Sequence, residues 1–160
     1  MAEGSISLGN EIKHIMSASS VFKSRTGRLE YSAEDVFSFV TDIRNFERFI
    51  PRNSVHDIKT EQGSCSFRVN MLGEVNIRIK EKIMTDKVVF SGNAPQINEF
   101  LITINIHNTG NNKSEVNVIL SSDMNPLLKM IAAEPVNQML VKLIDEMERF
   151  DGWKDIYQST

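Results

Sequence analysis

The chain has 160 residues and a formal charge of −3, a size that suits one domain with its own core and no need of a metal or disulfide to hold it. Its acidic and basic residues are interspersed, which excludes a phosphate-binding surface and hence a nucleic-acid partner, and its single cysteine cannot form an internal disulfide. No apolar run approaches the about 20 residues of a membrane-crossing helix, and the first residues lack the basic start and apolar stretch of a secretory signal, so a cytoplasmic chain is expected.

Residues 1–20 are rich in Ser, Gly and Asn, and Ile6, Leu8, Ile12 and Ile15 are too sparse there to specify a packed element on their own. They are read as a tail, with a single domain over 21–153 and a second tail over 154–160. Val21 to Tyr31 mixes Val, Phe, Thr, Leu and Tyr with single polar residues and suits an opening strand. Ser32 with Asp35 three residues on is a capping-box arrangement. Val36, Phe39, Val40 and Ile43 then recur at helical spacing, which predicts a short helix with one buried face. Asn45 is placed to cap a second short turn carrying Phe46, Phe49 and Ile50, stopped by Pro51.

From about Ser54 to Ser122 the period becomes two and turn residues arrive at short intervals, the pattern of antiparallel strands. Cys65, Phe67 and Val69 alternate with Ser64, Ser66, Arg68 and Asn70. Val75, Ile77, Ile79 and Ile83 alternate with Asn76, Arg78, Lys80 and Lys82, so each strand has one apolar and one polar side. Lys87 to Ser91 is a shorter strand after Thr85-Asp86. Phe100, Ile102, Ile104 and Ile106 form a further apolar row ended by Thr109-Gly110-Asn111-Asn112, which is turn chemistry. Val116, Val118 and Leu120 supply the last row.

Asn125 and Pro126 read as the cap and first position of a long helix. Within it Val136, Leu140, Leu143, Met147 and Phe150 recur at steps of three and four, Met139 and Ile144 widen the stripe, and Asp145 stands four before Arg149, the favoured order for a helical ion pair. Pro135 is expected to break or bend the segment. Together this is a strand, two short helices, about six strands and a long helix. A sheet with one apolar face and a helix with one apolar stripe cover each other, and a curled sheet leaves room that one helix does not fill.

Leu29-Glu30-Tyr31-Ser32-Ala33-Glu34-Asp35-Val36-Phe37 and Thr41-Asp42-Ile43-Arg44-Asn45-Phe46-Glu47-Arg48-Phe49-Ile50-Pro51 resemble the strand-to-helix passage and helical elbow of the START-like or SRPBCC superfamily, in the branch of polyketide cyclases and coenzyme-Q-binding proteins. Ser64 to Val69 and Asp123 to Met130 look like uncharacterised bacterial members of the Bacteroidetes type. The resemblance spans roughly Val21 to Phe150. It implies an α+β helix-grip fold: an antiparallel sheet of about seven strands curled around a long C-terminal helix, with two short helices after the first strand. It also implies a protein that binds lipids, sterols, quinones, polyketides or other apolar molecules. None of the superfamily's catalytic signatures can be placed on this chain.

The expected occupant is a small hydrophobic or amphipathic molecule between sheet and helix, with no cofactor and no metal. The expected lining is Phe67, Val69, Ile77, Ile79, Phe100, Ile102, Ile104, Val118, Met139, Leu143 and Met147. Counting by two from Val75 puts Glu81 in phase with the apolar row, where a carboxylate would have a raised pKa and touch the ligand; a bulge or a strand end would leave it in solvent instead. His56 is in phase with Ile58 and can point inward, although a lone histidine beside an apolar row is usually structural. His107 is out of phase and should face water, and His14 lies in the tail. The three show no metal spacing. Cys65 reads as a small core hydrophobe, Met124, Met130, Met139 and Met147 as core filler before adaptable lining, and Phe46, Phe49 and Ile50 as anchors of the elbow before a gate. Two rival readings remain: a cyclase or aromatase-like enzyme using His56 and Glu81 on one bound molecule, and an interaction module with a filled core.

Overall fold

The computed structural model describes residues 19–50, 55–70 and 72–155. Among these, eight strands form one antiparallel sheet. They are β1 (Ser19–Lys23), β2 (Gly27–Leu29), β3 (Val55–Glu61), β4 (Ser64–Val69), β5 (Gly73–Ile83), β6 (Lys87–Ala94), β7 (Ile97–Gly110) and β8 (Lys113–Asp123). The order across the sheet is β1, β8, β7, β6, β5, β4, β3, and β2 also pairs with β8. The expected opening strand is thus one edge interrupted at residues 24–26, where Ser24 N–H donates to the Val118 carbonyl at 2.9 Å and Val118 N–H donates to Ser24 Oγ at 2.8 Å. It starts at Ser19, two residues before the expected domain boundary.

Between β2 and β3 the chain makes the elbow: α1 (Ala33–Val40), α2 (Ile43–Phe46) and one 3-10 turn (Glu47–Phe49). Ser32 caps α1 by accepting from Asp35 N–H at 3.1 Å, and Val36, Phe39 and Val40 go into the core. Asn45 does not cap the second helix. Asp42 does, accepting from Arg44 N–H at 3.0 Å, while Asn45 lies inside α2, fully buried, and donates to the Phe39 carbonyl at 3.0 Å. The Asn45 amide thus ties the two short helices together through its nitrogen, while its buried Oδ1 has no hydrogen-bond partner among the described residues. Pro51 as a stop, the side chain of Phe46, and the tail with His14 lie outside the described residues.

The last helix, α3 (Pro126–Arg149), begins at Asn125, whose side chain accepts from Leu128 N–H at 2.8 Å. It runs through Pro135 without ending, so the expected break is absent. Asp145 does not pair with Arg149 either: Arg149 sits 3.3 Å from Glu146, and Asp145 turns to Arg25 in the bend between β1 and β2. That cation faces two carboxylates, Asp145 at 2.5 Å and Glu148 at 2.7 Å, which outcompete one partner on the same helix. Past α3, Trp153 is fully buried and closes a ring cluster with Tyr31, Phe39, Phe49 and Phe150 at centroid separations of 5.0–6.4 Å. The elbow and the end of the chain are thereby fixed to each other, with Arg48 stacked over Phe39 and Phe150. No helix among the described residues is long and apolar enough to cross a membrane.

Candidate functional site

The apolar rows of β4 to β8 share one face, and the buried stripe of α3, Val136, Leu140, Leu143, Ile144 and Met147, lies over it. Between them is a cavity of about 30 Å³ lined by Ile50, Phe67, Ile102, Val118, Leu120, Met139, Leu140 and Leu143. Each wall has a local cause. Phe67 sits on the inward side of β4, opposite Val75; Ile102, Leu120 and Val118 come from adjoining rungs of β7 and β8, where Ile102 faces Leu120 and Ile104 faces Val118. Ile50 closes the side at the elbow. The lining is wholly apolar, so a water that entered would find no polar partner to keep it there.

Of the residues expected to meet a ligand, Phe67, Ile102, Val118, Met139 and Leu143 line the cavity. Ile77, Phe100, Ile104 and Met147 are buried in the surrounding core, and Val69 and Ile79 are packed at its margin. Ile50, Leu120 and Leu140 line it without having been expected there, although Leu120 continues the row of Val116 and Val118, and Leu140 is on the helical stripe.

Two of the expected polar residues are not there. Glu81 pairs with Val89, which pairs with Thr103, a position out of phase with inward Ile102 and Ile104, and it is exposed. The cause is a register shift between Ile79 and Glu81, which moves every later residue of β5 to the other face. His56 suffers the same reversal. Its neighbour Val55 is inward and buried, the register shifts between His56 and Lys59, and Asp57 takes a φ of 56° at the shift. His56 is therefore exposed opposite Arg68. His107 faces water.

The polar groups that do approach the concave side come from the elbow. Thr60 pairs with buried Cys65 two residues along β4 from Phe67, and its hydroxyl donates to Glu47 at 3.2 Å. Burial first, and the Glu47 charge second, push the Cys65 thiol up to about 11, which keeps it an inert core group. Asp42 at the other corner of the elbow is held below the usual carboxylate range by Arg44, 2.6 Å away. Among the described residues no group of three or more His, Cys, Asp or Glu is arranged to hold a metal ion.

No family model matches the chain, and no curated protein matches it. Solved structures do. A norcoclaurine synthase point mutant from Thalictrum flavum, held with a transition-state analogue, superposes with a TM-score of 0.66 at 11% identity, over 82% of this chain and 93% of that one. An uncharacterised protein from Bacillus thuringiensis gives 0.63 at 14%, over 81% and 97%. A START superfamily protein from Mycobacterium smegmatis gives 0.58 at 13%, again over 81% and 97%. The chain has the helix-grip fold of these structures, an antiparallel sheet around a long C-terminal helix. At these identities the likeness speaks for the fold alone.

Proposed function

We propose that the protein binds one small hydrophobic or amphipathic molecule beneath α3, in a cavity that is contracted here and widens to admit it. The observation that carries this reading is the all-apolar lining of a cavity where sheet, elbow and helix meet. Ligand sites of drug size occupy about 300–1,000 Å³, so the walls must yield. Met139 is the adaptable side chain, being unbranched and only partly buried. Apolar burial at roughly 25 cal/mol per Å² supplies the affinity. The norcoclaurine synthase of this fold holds a transition-state analogue, which supports the general capacity by analogy. A cytoplasmic setting goes with the single, buried cysteine.

A cyclase-like activity built on His56 and Glu81 loses its footing, since both residues lie outside the concave face. The surface-module alternative has one observation in its favour, the exposed apolar residues Leu127, Met130 and Ile131 of α3. Solvent extraction of the purified protein with mass spectrometry, followed by titration with Nile red, separates the two. A retained apolar molecule, or saturable one-to-one dye binding that Val118→Ile weakens by adding one methylene to the cavity wall, is the expected outcome. An empty protein that takes up no dye would end the ligand-binding reading.

A further inference from the structure

The sheet ends differently at its two edges. β3 carries His56, Asp57, Lys59 and Glu61, and its register shifts between His56 and Lys59, with a φ of 56° at Asp57. Charge and irregularity of this kind keep an edge strand from pairing further. β1 has neither, apart from Lys23 at its end, and among the described residues it pairs with β8 alone. Hydrogen-bonded and non-bonded pairs alternate along an antiparallel ladder. Ser24 N–H donates to the Val118 carbonyl, so Phe22 and Ser20 also turn their backbone groups to β8. Ser19, Val21 and Lys23 therefore turn theirs to the open side.

Apolar side chains flank this edge on both faces. Val21 is 52% exposed on the convex face, opposite Ser121. On the concave side Leu127 and Met130 are 67% and 77% exposed. They stand about five turns before Asp145 and Glu148, hence on the flank of α3 that reaches Arg25 at the β1–β2 bend. We propose that two copies of the chain pair β1 against β1, antiparallel about Val21, and so join their sheets into one. Self-complementarity selects a second copy over another partner. With Val21 facing Val21, the outward N–H and C=O groups of Ser19, Val21 and Lys23 meet the same groups of the other chain. Lys23 of one copy then falls opposite Ser19 of the other, whose neighbour across the ladder is exposed Asp123. The three side chains share the convex face. Lysine has only a serine to cross before it meets the carboxylate, two strand spacings or about 9–10 Å away between Cα atoms. The two-fold axis repeats this pair, and neither charge has an ion-pair partner among the described residues. β1 also lies against α3, whose cap Asn125 follows two residues after the partner of Ser19. Leu127 and Met130 of both copies therefore flank the same axis.

Sedimentation equilibrium of the full chain tests this from about 1 μM to about 1 mM, a range that captures weak dimers as well as firm ones. Monomer is expected to give way to dimer, and the Val21 amide to exchange slowly only where the dimer is populated. Lys23→Asp and Asp123→Lys each set like charges against each other at both ends of the interface. Each should weaken the dimer by about tenfold over the two symmetric pairs, and the two changes combined in one chain should restore it. Met130→Asp should weaken it as well. All three positions are exposed, so the far-ultraviolet circular dichroism should stay that of wild type. A chain that stays monomeric throughout overturns the proposal. So does a dimer that the single changes leave intact, or one that the combined charge reversal fails to restore.

Discussion

The two halves of α3 are built to different standards. After Pro135 the helix buries Val136, Leu140, Leu143, Ile144 and Met147. The β1–β2 edge also grips it there: Arg25 reaches Asp145 and Glu148, and Arg28 N–H donates to Glu148 at 2.9 Å. Before Pro135 it buries Leu128 and Ala132 and leaves Leu127, Met130 and Ile131 to solvent. Local stability tracks the density of buried apolar contacts, so the second half is the anchor of the fold and the first half is the part free to shift. The cavity lies under the anchored half, at Met139, Leu140 and Leu143.

The largest expected effect is a test of that asymmetry. Met147→Ala removes a side chain with no exposed surface, and large-to-small changes of this kind cost about 2–5 kcal/mol. Leu128→Ala in the first half should cost clearly less, because the neighbours there can collapse onto the gap. Urea unfolding of both variants measures it, and equal losses would break the comparison. Next comes the joint itself. Proline has no N–H to give to the Ile131 carbonyl and disfavours a helix interior by about 3 kcal/mol. Pro135→Ala is therefore expected to stabilise the protein by up to about that much, with slower exchange of the amides on either side and slower uptake of any apolar dye. A variant of unchanged stability and uptake would show that the proline does not set the mobility of the first half.

Much of this architecture is legible in the residues. The capping arrangement at Ser32, the alternating rows of β4, β7 and β8, and the Asn125-Pro126 start of α3 each state a local preference that tertiary packing reinforces. Part of the interior lining is legible for the same reason, since Phe67, Ile102, Val118, Met139 and Leu143 come straight from periodicity. The polar candidates are not. A register shift in β3 and another in β5 leave no mark in an alternating pattern, and each reverses inside and outside over the remainder of its strand, so that counting by two places His56 and Glu81 inward. Glu47 is hidden because nothing in the elbow's own spacing says that it meets Thr60 on a strand formed later. Arg25 is hidden likewise, since its partners are 120 and 123 residues away in sequence.

The anchored half also depends on a close approach at Gly27. A Cβ there would stand 2.9 Å from Ile144 Cγ2 and 3.2 Å from Val116 Cγ2, both on buried side chains that cannot swing away. Glycine is thus what lets β2 lie close against α3. Gly27→Ala should destabilise by about 1–3 kcal/mol, the usual range for overpacking. Adding Ile144→Ala should recover part of that loss relative to the two changes made separately, which a double-mutant cycle reads directly. Additive effects would mean that the close approach to α3 is not what the glycine serves.

The smallest effect belongs to the ionic clasp, whose groups are exposed enough for solvent to screen them: the side chains of Arg25, Asp145 and Glu148 keep 43%, 39% and 31% of their surface. Arg25→Ala is expected to cost about 0.5–1 kcal/mol near neutral pH, less in high salt. Its pH dependence has a definite sign. The Arg25 guanidinium, and secondarily the Arg28 N–H, hold the Glu148 carboxyl below its ordinary value near 4.5. A carboxylate depressed in the folded state adds stability that is complete above that ordinary value and is lost as pH falls through the lowered one. The difference between wild type and Arg25→Ala should therefore be flat around neutrality and shrink on acidification below about pH 4.5, measured by urea unfolding across the series. Asp42, likewise depressed by Arg44, titrates in both proteins and cancels from the difference. A gap that persists unchanged in acid would place the role of Arg25 in the packing of its stem along α3, and the anchored half would then owe its hold to apolar contact and the Gly27 approach without help from charge.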